Sequence, residues 1–127
     1  MEKLNVLCVE DYRGLLEAWE LYFENGEVNL IPAKTLSEVE NKFEIHEKEL
    51  SAIIMDAGRS LNTLPLLKRI REKFKGPIIA ISSLYQDEQR KAGCDYWCEK
   101  EKVGSKLKEV LGLESIDELI SNNSKDK

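Results

Sequence analysis

Apolar residues recur along the chain in two alternating ways. Short, nearly unbroken runs end in polar or acidic residues, and between them apolar positions return every third or fourth residue. Leu4-Asn5-Val6-Leu7-Cys8-Val9 ends at Glu10-Asp11, Leu50-Ser51-Ala52-Ile53-Ile54-Met55 ends at Asp56, and Pro77-Ile78-Ile79-Ala80-Ile81 ends at Ser82. Runs of this length bounded by turn residues read as strands buried on both faces. Val28 to Pro32 is a weaker strand whose proline suits a sheet edge. Cys94 to Cys98 reads as a fifth strand leading to Glu99-Lys100.

Helical spacing fills the gaps. Leu15, Leu16, Trp19 and Phe23 mark a first helix that stops near Asn25-Gly26. Thr35-Leu36-Ser37-Glu38 has capping-box spacing and opens a second helix with Leu36, Val39 and Phe43 inward. Leu67, Ile70 and Phe74 mark a third, and the polar stretch Leu84 to Ala92 leaves room for two turns of a fourth. Val103, Leu107, Val110 and Leu111 give a fifth. Strands alternating with helices specify an α/β domain with a parallel sheet and right-handed crossovers. Residues 1–112 are expected to form that domain, and 113–127 a short helix (Ile116, Leu119, Ile120) and a polar tail.

Composition narrows the picture. The 127 residues are 42% hydrophobic and 34% charged, an ordinary globular balance for one domain. The net charge of -5 argues against a nucleic-acid surface. No apolar run approaches the roughly 20 residues of a membrane span. No signal-peptide core follows Met1-Glu2-Lys3, so a cytoplasmic address is expected. Cys94 and Cys98 have the same parity in the expected strand and would lie roughly 13 Å apart on one face, too far for a shared metal or a disulfide. Buried reduced thiols are the better reading of all three cysteines.

In a parallel sheet the polar strand ends converge on one rim, which brings together Glu10, Asp11, Asp56, Ser82 and Lys100. Alone, Asp56 is equally readable as a cap for the next helix. Three carboxylates at close range repel by a few kcal/mol per pair at an effective dielectric of ~20. Raised pKa values or a bound cation relieve this, and an all-oxygen donor set favours Mg²⁺. A divalent cation and a lysine around one carboxylate suit phosphoryl transfer onto that carboxylate. A flavin-phosphate loop would want glycines and amides where Glu10-Asp11-Tyr12-Arg13 stands, and no dinucleotide or P-loop pattern occurs.

Val9-Glu10-Asp11, Ile54-Met55-Asp56, Ile79-Ala80-Ile81-Ser82 and Gly93-Cys94-Asp95-Tyr96-Trp97-Cys98-Glu99-Lys100 resemble the motifs of response-regulator receiver domains of bacterial two-component systems. The resemblance runs from Leu4 to Leu111. It implies a flavodoxin-like, doubly wound, five-stranded parallel sheet of order 2-1-3-4-5. It also implies that Asp56 accepts a phosphoryl group from a sensor histidine kinase or a histidine phosphotransfer protein. Asp11 would hold Mg²⁺ directly, Glu10 through water, and Asp56 would complete the metal site. Lys100 would neutralise the phosphoryl oxygens. Ser82 and Trp97 would be the switch pair, Trp97 moving inward; simple core packing is the other reading of Trp97, and capping of the next turn that of Ser82. Such a chain is not an enzyme on a separate substrate, although it takes part in its own Mg²⁺-dependent phosphorylation and dephosphorylation. Output would be a contact with another protein.

The sequence departs from the family pattern in four places. Ser60 replaces the proline four residues after the phosphoacceptor, and the following loop is about one residue short. Lys100-Glu101 replaces Lys-Pro, and a trans bond is expected because a non-proline cis bond costs ~3 kcal/mol. Ser82 to Lys100 is about four residues shorter than usual, which falls on the fourth helix. A receiver-like binding module acting without phosphorylation is therefore the alternative function. Gly58 and Leu84 flank the path of a hydrolytic water in this reading, with Leu84 shielding the phosphoryl group.

Overall fold

The computed structural model describes residues 3–24, 26–56, 64–81 and 86–113. Five parallel strands form one sheet in the order β2-β1-β3-β4-β5, the flavodoxin-like arrangement expected. The strands are β1 (Leu4–Val9), β2 (Val28–Ala33), β3 (Leu50–Met55), β4 (Ile78–Ala80) and β5 (Tyr96–Trp97). Among the described residues five α-helices alternate with them: α1 (Arg13–Phe23), α2 (Leu36–His46), α3 (Leu64–Lys73), α4 (Gln86–Ala92) and α5 (Val103–Leu111).

The central strands are apolar because both faces are covered. Odd positions of β1 and β3 (Leu7, Val9, Ile53, Met55) pack with Val39 and Phe43 of α2 and with Leu67 and Ile70 of α3. Even positions (Val6, Cys8, Ala52, Ile54) pack with Leu16, Trp19 and Phe23 of α1 and with Val103 and Leu107 of α5. The edge assignment of the Pro32 strand holds, since β2 pairs only with β1 among the described residues.

Local signals work as their chemistry demands. Thr35 Oγ1 accepts the Glu38 N–H at 3.1 Å, while the Glu38 carboxylate reaches back to the Lys34 N–H at 2.5 Å, one residue beyond the usual capping-box donor. Gly112 ends α5 in a left-handed conformation, φ 69°, and the Leu113 N–H bonds back to the Lys108 carbonyl.

Two side-chain expectations fail, and so does the core-packing alternative for Trp97. Leu36 is 41% exposed, because as the first residue of α2 it precedes the turn that packs on the sheet. Cys94 and Cys98 do not share a face: Cys94 packs with the α2–α3 layer and Cys98 is buried in the α1–α5 layer. The reason is that β5 spans two residues only, so the strict alternation assumed across five positions never forms. Trp97 is not core-packed; it is 40% exposed beside Tyr96. All three cysteines are free; Cys8 and Cys98 are buried as expected, whereas Cys94 is only partly buried.

Candidate functional site

Backbone hydrogen bonds fix where the strand ends stop. Glu10 N–H donates to Ala33 O (3.1 Å), Asp56 N–H to Val9 O (3.0 Å), Ile81 N–H to Met55 O (3.2 Å) and Cys98 N–H to Ala80 O (3.0 Å). Sheet pairing thus extends one residue past the strands and sets Glu10 and Asp56 side by side on the C-terminal rim. After β5 the chain enters a 3-10 turn, Lys100–Lys102, which leads into α5 and aims Lys100 back at the rim. No cis peptide bond occurs among the described residues, so Lys100-Glu101 is trans as expected.

Glu10, Asp11 and Asp56 each offer a carboxylate oxygen, and these atoms lie within 4.8 Å of one another. Glu10 is fully buried, Asp56 nearly so, and Asp11 is exposed. Lys100 Nζ donates to Glu10 Oε1 at 3.3 Å and to Asp56 Oδ2 at 3.4 Å. It also lies 3.2 Å from Glu10 Oε2, an ion-pair contact. Glu10 Oε1 accepts the Tyr12 N–H at 3.2 Å as well.

The electrostatics follow from this crowding. Burial, reinforced by the negative charge of Asp56, pushes the Glu10 carboxyl from its ordinary 4.5 up to about 7, against the opposing pull of Lys100. Burial by itself would lower the Lys100 pKa, but Asp56 and Glu10 outweigh it and raise it, so the ammonium stays charged. One lysine does not balance three carboxylates, and one buried oxygen of Glu10 has no hydrogen-bond partner among the described residues. An all-oxygen set with a buried oxygen that accepts no hydrogen bond and more carboxylates than cations fits a hard divalent cation such as Mg²⁺.

The structure therefore brings together Glu10, Asp11, Asp56 and Lys100 as the sequence predicted. Trp97 sits on β5 at the same end of the sheet, turned outward. Ser82, Gly58, Ser60 and Leu84 lie outside the described residues, as does the expected helix at Ile116 to Ile120.

No protein-family model matches the chain, and no curated protein matches it. Solved structures do. A two-component response regulator from Clostridium difficile superposes with a TM-score of 0.73 at 17% identity, covering 87% of this chain and 97% of that one. The chain has the receiver-domain fold. A response regulator receiver domain from Clostridium thermocellum gives 0.74 at 16% identity, with 86% and 91% covered. A third is the receiver domain of Saccharomyces cerevisiae Ssk1, solved with the histidine phosphotransfer protein Ypd1; it gives 0.71 at 22% identity, with 88% and 91% covered. At these identities what is shared is the receiver fold. No helix among the described residues is long and apolar enough to cross a membrane.

Sequence reasoning missed two residues that organise the surroundings. Arg71 donates to the carbonyls of Gly93, Phe74 and Gly76 and to Asp95, tying the α3–β4 and α4–β5 connections together. Nothing in a lone arginine of a last helical turn announces that. Gln89 is fully buried in α4. Its signal was present: Gln86, Gln89 and Ala92 are the uncharged positions of α4, spaced by three among Asp87, Glu88, Arg90 and Lys91.

Proposed function

We propose that this chain is a receiver that takes a phosphoryl group onto Asp56 from a phosphohistidine and changes a protein-binding surface in response. The single observation that carries the reading is the convergence of buried Glu10 and Asp56, exposed Asp11 and the bridging Lys100 on one rim of a receiver fold. Similarity in fold to the Ssk1 receiver, solved with a histidine phosphotransfer protein, supports such a protein as donor; a sensor histidine kinase carries the same chemistry.

In this reading an Asp56 oxygen forms an O–P bond as the N–P bond of the phosphohistidine breaks. The electron pair of the broken bond stays on the imidazole nitrogen, which takes up a proton. Lys100, already within reach of Asp56 Oδ2, meets the charge developing on the phosphoryl oxygens. Asp11 and Glu10, with Asp56, would hold Mg²⁺, which when bound supplies further neutralising charge. Bound there, the cation would favour the ionised form of Glu10. Ser82 would bond the phosphoryl group and Trp97 would follow.

Mass spectrometry after exposure to acetyl phosphate, with and without Mg²⁺, tests the reading. One added phosphoryl group is expected, dependent on Mg²⁺ and absent from Asp56→Asn. A shift that persists in Asp56→Asn overturns the assignment. The half-exposed Tyr96 and Trp97 favour a second reading, a ready-made binding surface that needs no phosphorylation; the same experiment yields no modification in that case.

A further inference from the structure

A hollow of about 170 Å³ opens on the α1–α5 side of the sheet, at the end opposite the carboxylate rim. Tyr22, Phe23 and Val28 line it from α1 and the start of β2, and Lys108 and Leu113 from α5 and its end. Tyr22 crosses the seam between the helices: a Cβ added at Gly104 of α5 would come within 2.6 Å of its ring. The ring packs edge-on against Phe23, centroids 4.8 Å apart, and lies under Lys108 Nζ at 5.1 Å. Even so Tyr22 stays 55% exposed at the mouth of the hollow. The left-handed Gly112 reverses the chain after α5, so Leu113 packs on the α1–α5 core layer and lines the hollow itself.

We propose that this hollow is the docking site of segment 114–120 of the same chain, with Ile116, Leu119 and Ile120 as the side chains that enter it. Reach favours that occupant: only Glu114 and Ser115 separate Leu113 from Ile116, at most about 11 Å of chain. Pattern favours it too. Ser115-Ile116-Asp117-Glu118 has capping-box spacing, and Ile116, Leu119 and Ile120 then share one helical face. A helix of so few residues does not hold alone in water, so its apolar face needs a surface to pack on. A cavity of about 150 Å³ holds a benzene-sized group, so this hollow takes one or two aliphatic side chains. Charge selects between the grooves of the molecule. The larger one, between α1 and β2, is edged by Glu17, Glu20 and Glu24 against one lysine, Lys3, and repels Glu114, Asp117 and Glu118. Here Lys108 balances Glu27. Seated so, the segment covers Tyr22 and ties the ends of α1 and α5 together. Neither Asp56 nor a metal takes part, so docking and phosphorylation are tested separately.

The full chain, methyl-labelled at isoleucine, is followed by NMR. Through-space contacts from the Ile116 or Ile120 methyls to the Tyr22 ring are expected, within one chain and independent of concentration. Ile116→Asn and Leu119→Asn should each weaken the contacts that remain, move the Tyr22 ring signals, and lower Tm by about 3 °C or more. Asparagine adds no charge, so the fall in Tm reports lost packing. Ser121→Ala, in the polar tail, should change neither readout. Contacts seen only between labelled and unlabelled chains in a mixed sample would assign the hollow to a second copy. Contacts to Leu21 and Leu30 in place of Tyr22 would put the segment in the acidic groove. Tyr22 signals and a Tm that both ignore the asparagine variants would leave the hollow without this occupant. Each of these three results overturns the proposal.

Discussion

Lys100 Nζ stands 3.4 Å from Asp56 Oδ2 while also holding Glu10, so one cation serves two buried carboxylates brought from different strands. Lys100→Met should therefore do two things. Phosphorylation of Asp56 should slow by about 10²-fold, the usual cost of losing an electrostatic stabiliser. The fold should be destabilised more at pH 8 than at pH 5, because at the lower pH Glu10 is protonated and less charge is stranded. Donor kinetics and melts at the two pH values check both outcomes.

Glu10 makes the metal-free protein sensitive to pH. Its carboxyl titrates near 7 in the folded state against an ordinary 4.5, so folding favours the protonated form. The stabilising contribution is complete below the ordinary value and is lost as pH rises through about 7. Denaturant unfolding without divalent cations should show stability falling between pH 5 and pH 8, and Glu10→Gln should flatten the profile.

Mg²⁺ should raise stability by mass action, by about 2.7 kcal/mol at a hundred times its Kd. Asp11 is the exposed member of the cluster, so Asp11→Ala removes a ligand without opening the core. A Mg²⁺ titration of Tm should be flat in Asp11→Ala. An unchanged response there would refute the ligand set.

How much of this was legible depended on whether local sequence or distant packing decided each feature. Strands β1, β3 and β4 are covered on both faces, and double burial writes itself as an apolar run. The convergence of Glu10, Asp11, Asp56 and Lys100 was equally legible, since parallel strands place all their carboxyl ends on one rim. What could not be read was how burial divides among those carboxylates. That depends on Asp56 and Lys100 arriving from other parts of the chain. The fifth strand was read too long because apolar cysteines flank it, yet its two pairing residues are aromatic and half exposed. Their exposure goes with the place of β5 at the end of the sheet order, which no local spacing encodes.

Phosphorylation should change the fluorescence of Trp97 and leave that of Trp19. Trp97 is 40% exposed on β5, whereas Trp19 is 6% exposed in the layer between α1 and the sheet. Beryllofluoride, a phosphoryl mimic, should alter emission in Trp19→Phe and not in Trp97→Phe. A signal that follows Trp19 would remove Trp97 from the switch.

Arg71 should be the most sensitive surface-accessible residue outside the rim. Its guanidinium bonds Gly93 O at 3.0 and 2.8 Å, Phe74 O at 2.8 Å, Gly76 O at 2.9 Å and Asp95 Oδ2 at 2.6 Å. Asp95 Oδ2 in turn accepts the Ile78 N–H at 2.9 Å, so the network pins the starts of both β4 and β5. The side chain is 24% exposed, which places these bonds where water replaces them poorly. Arg71→Ala strands three carbonyls and a carboxylate and should cost about 3 kcal/mol. Arg71→Lys should recover little, because a point charge cannot reproduce a fork that serves several acceptors. Gly93→Ala should be destabilising too: its φ is 121°, and an added Cβ would come within 2.7 Å of Arg71 Cγ. Combining Arg71→Ala with Asp95→Asn in a double-mutant cycle should give a coupling of about 1 kcal/mol or more, since the two share a bond. Additive losses would show that Arg71 works through the carbonyls alone, leaving Asp95 to hold β4 by the Ile78 N–H.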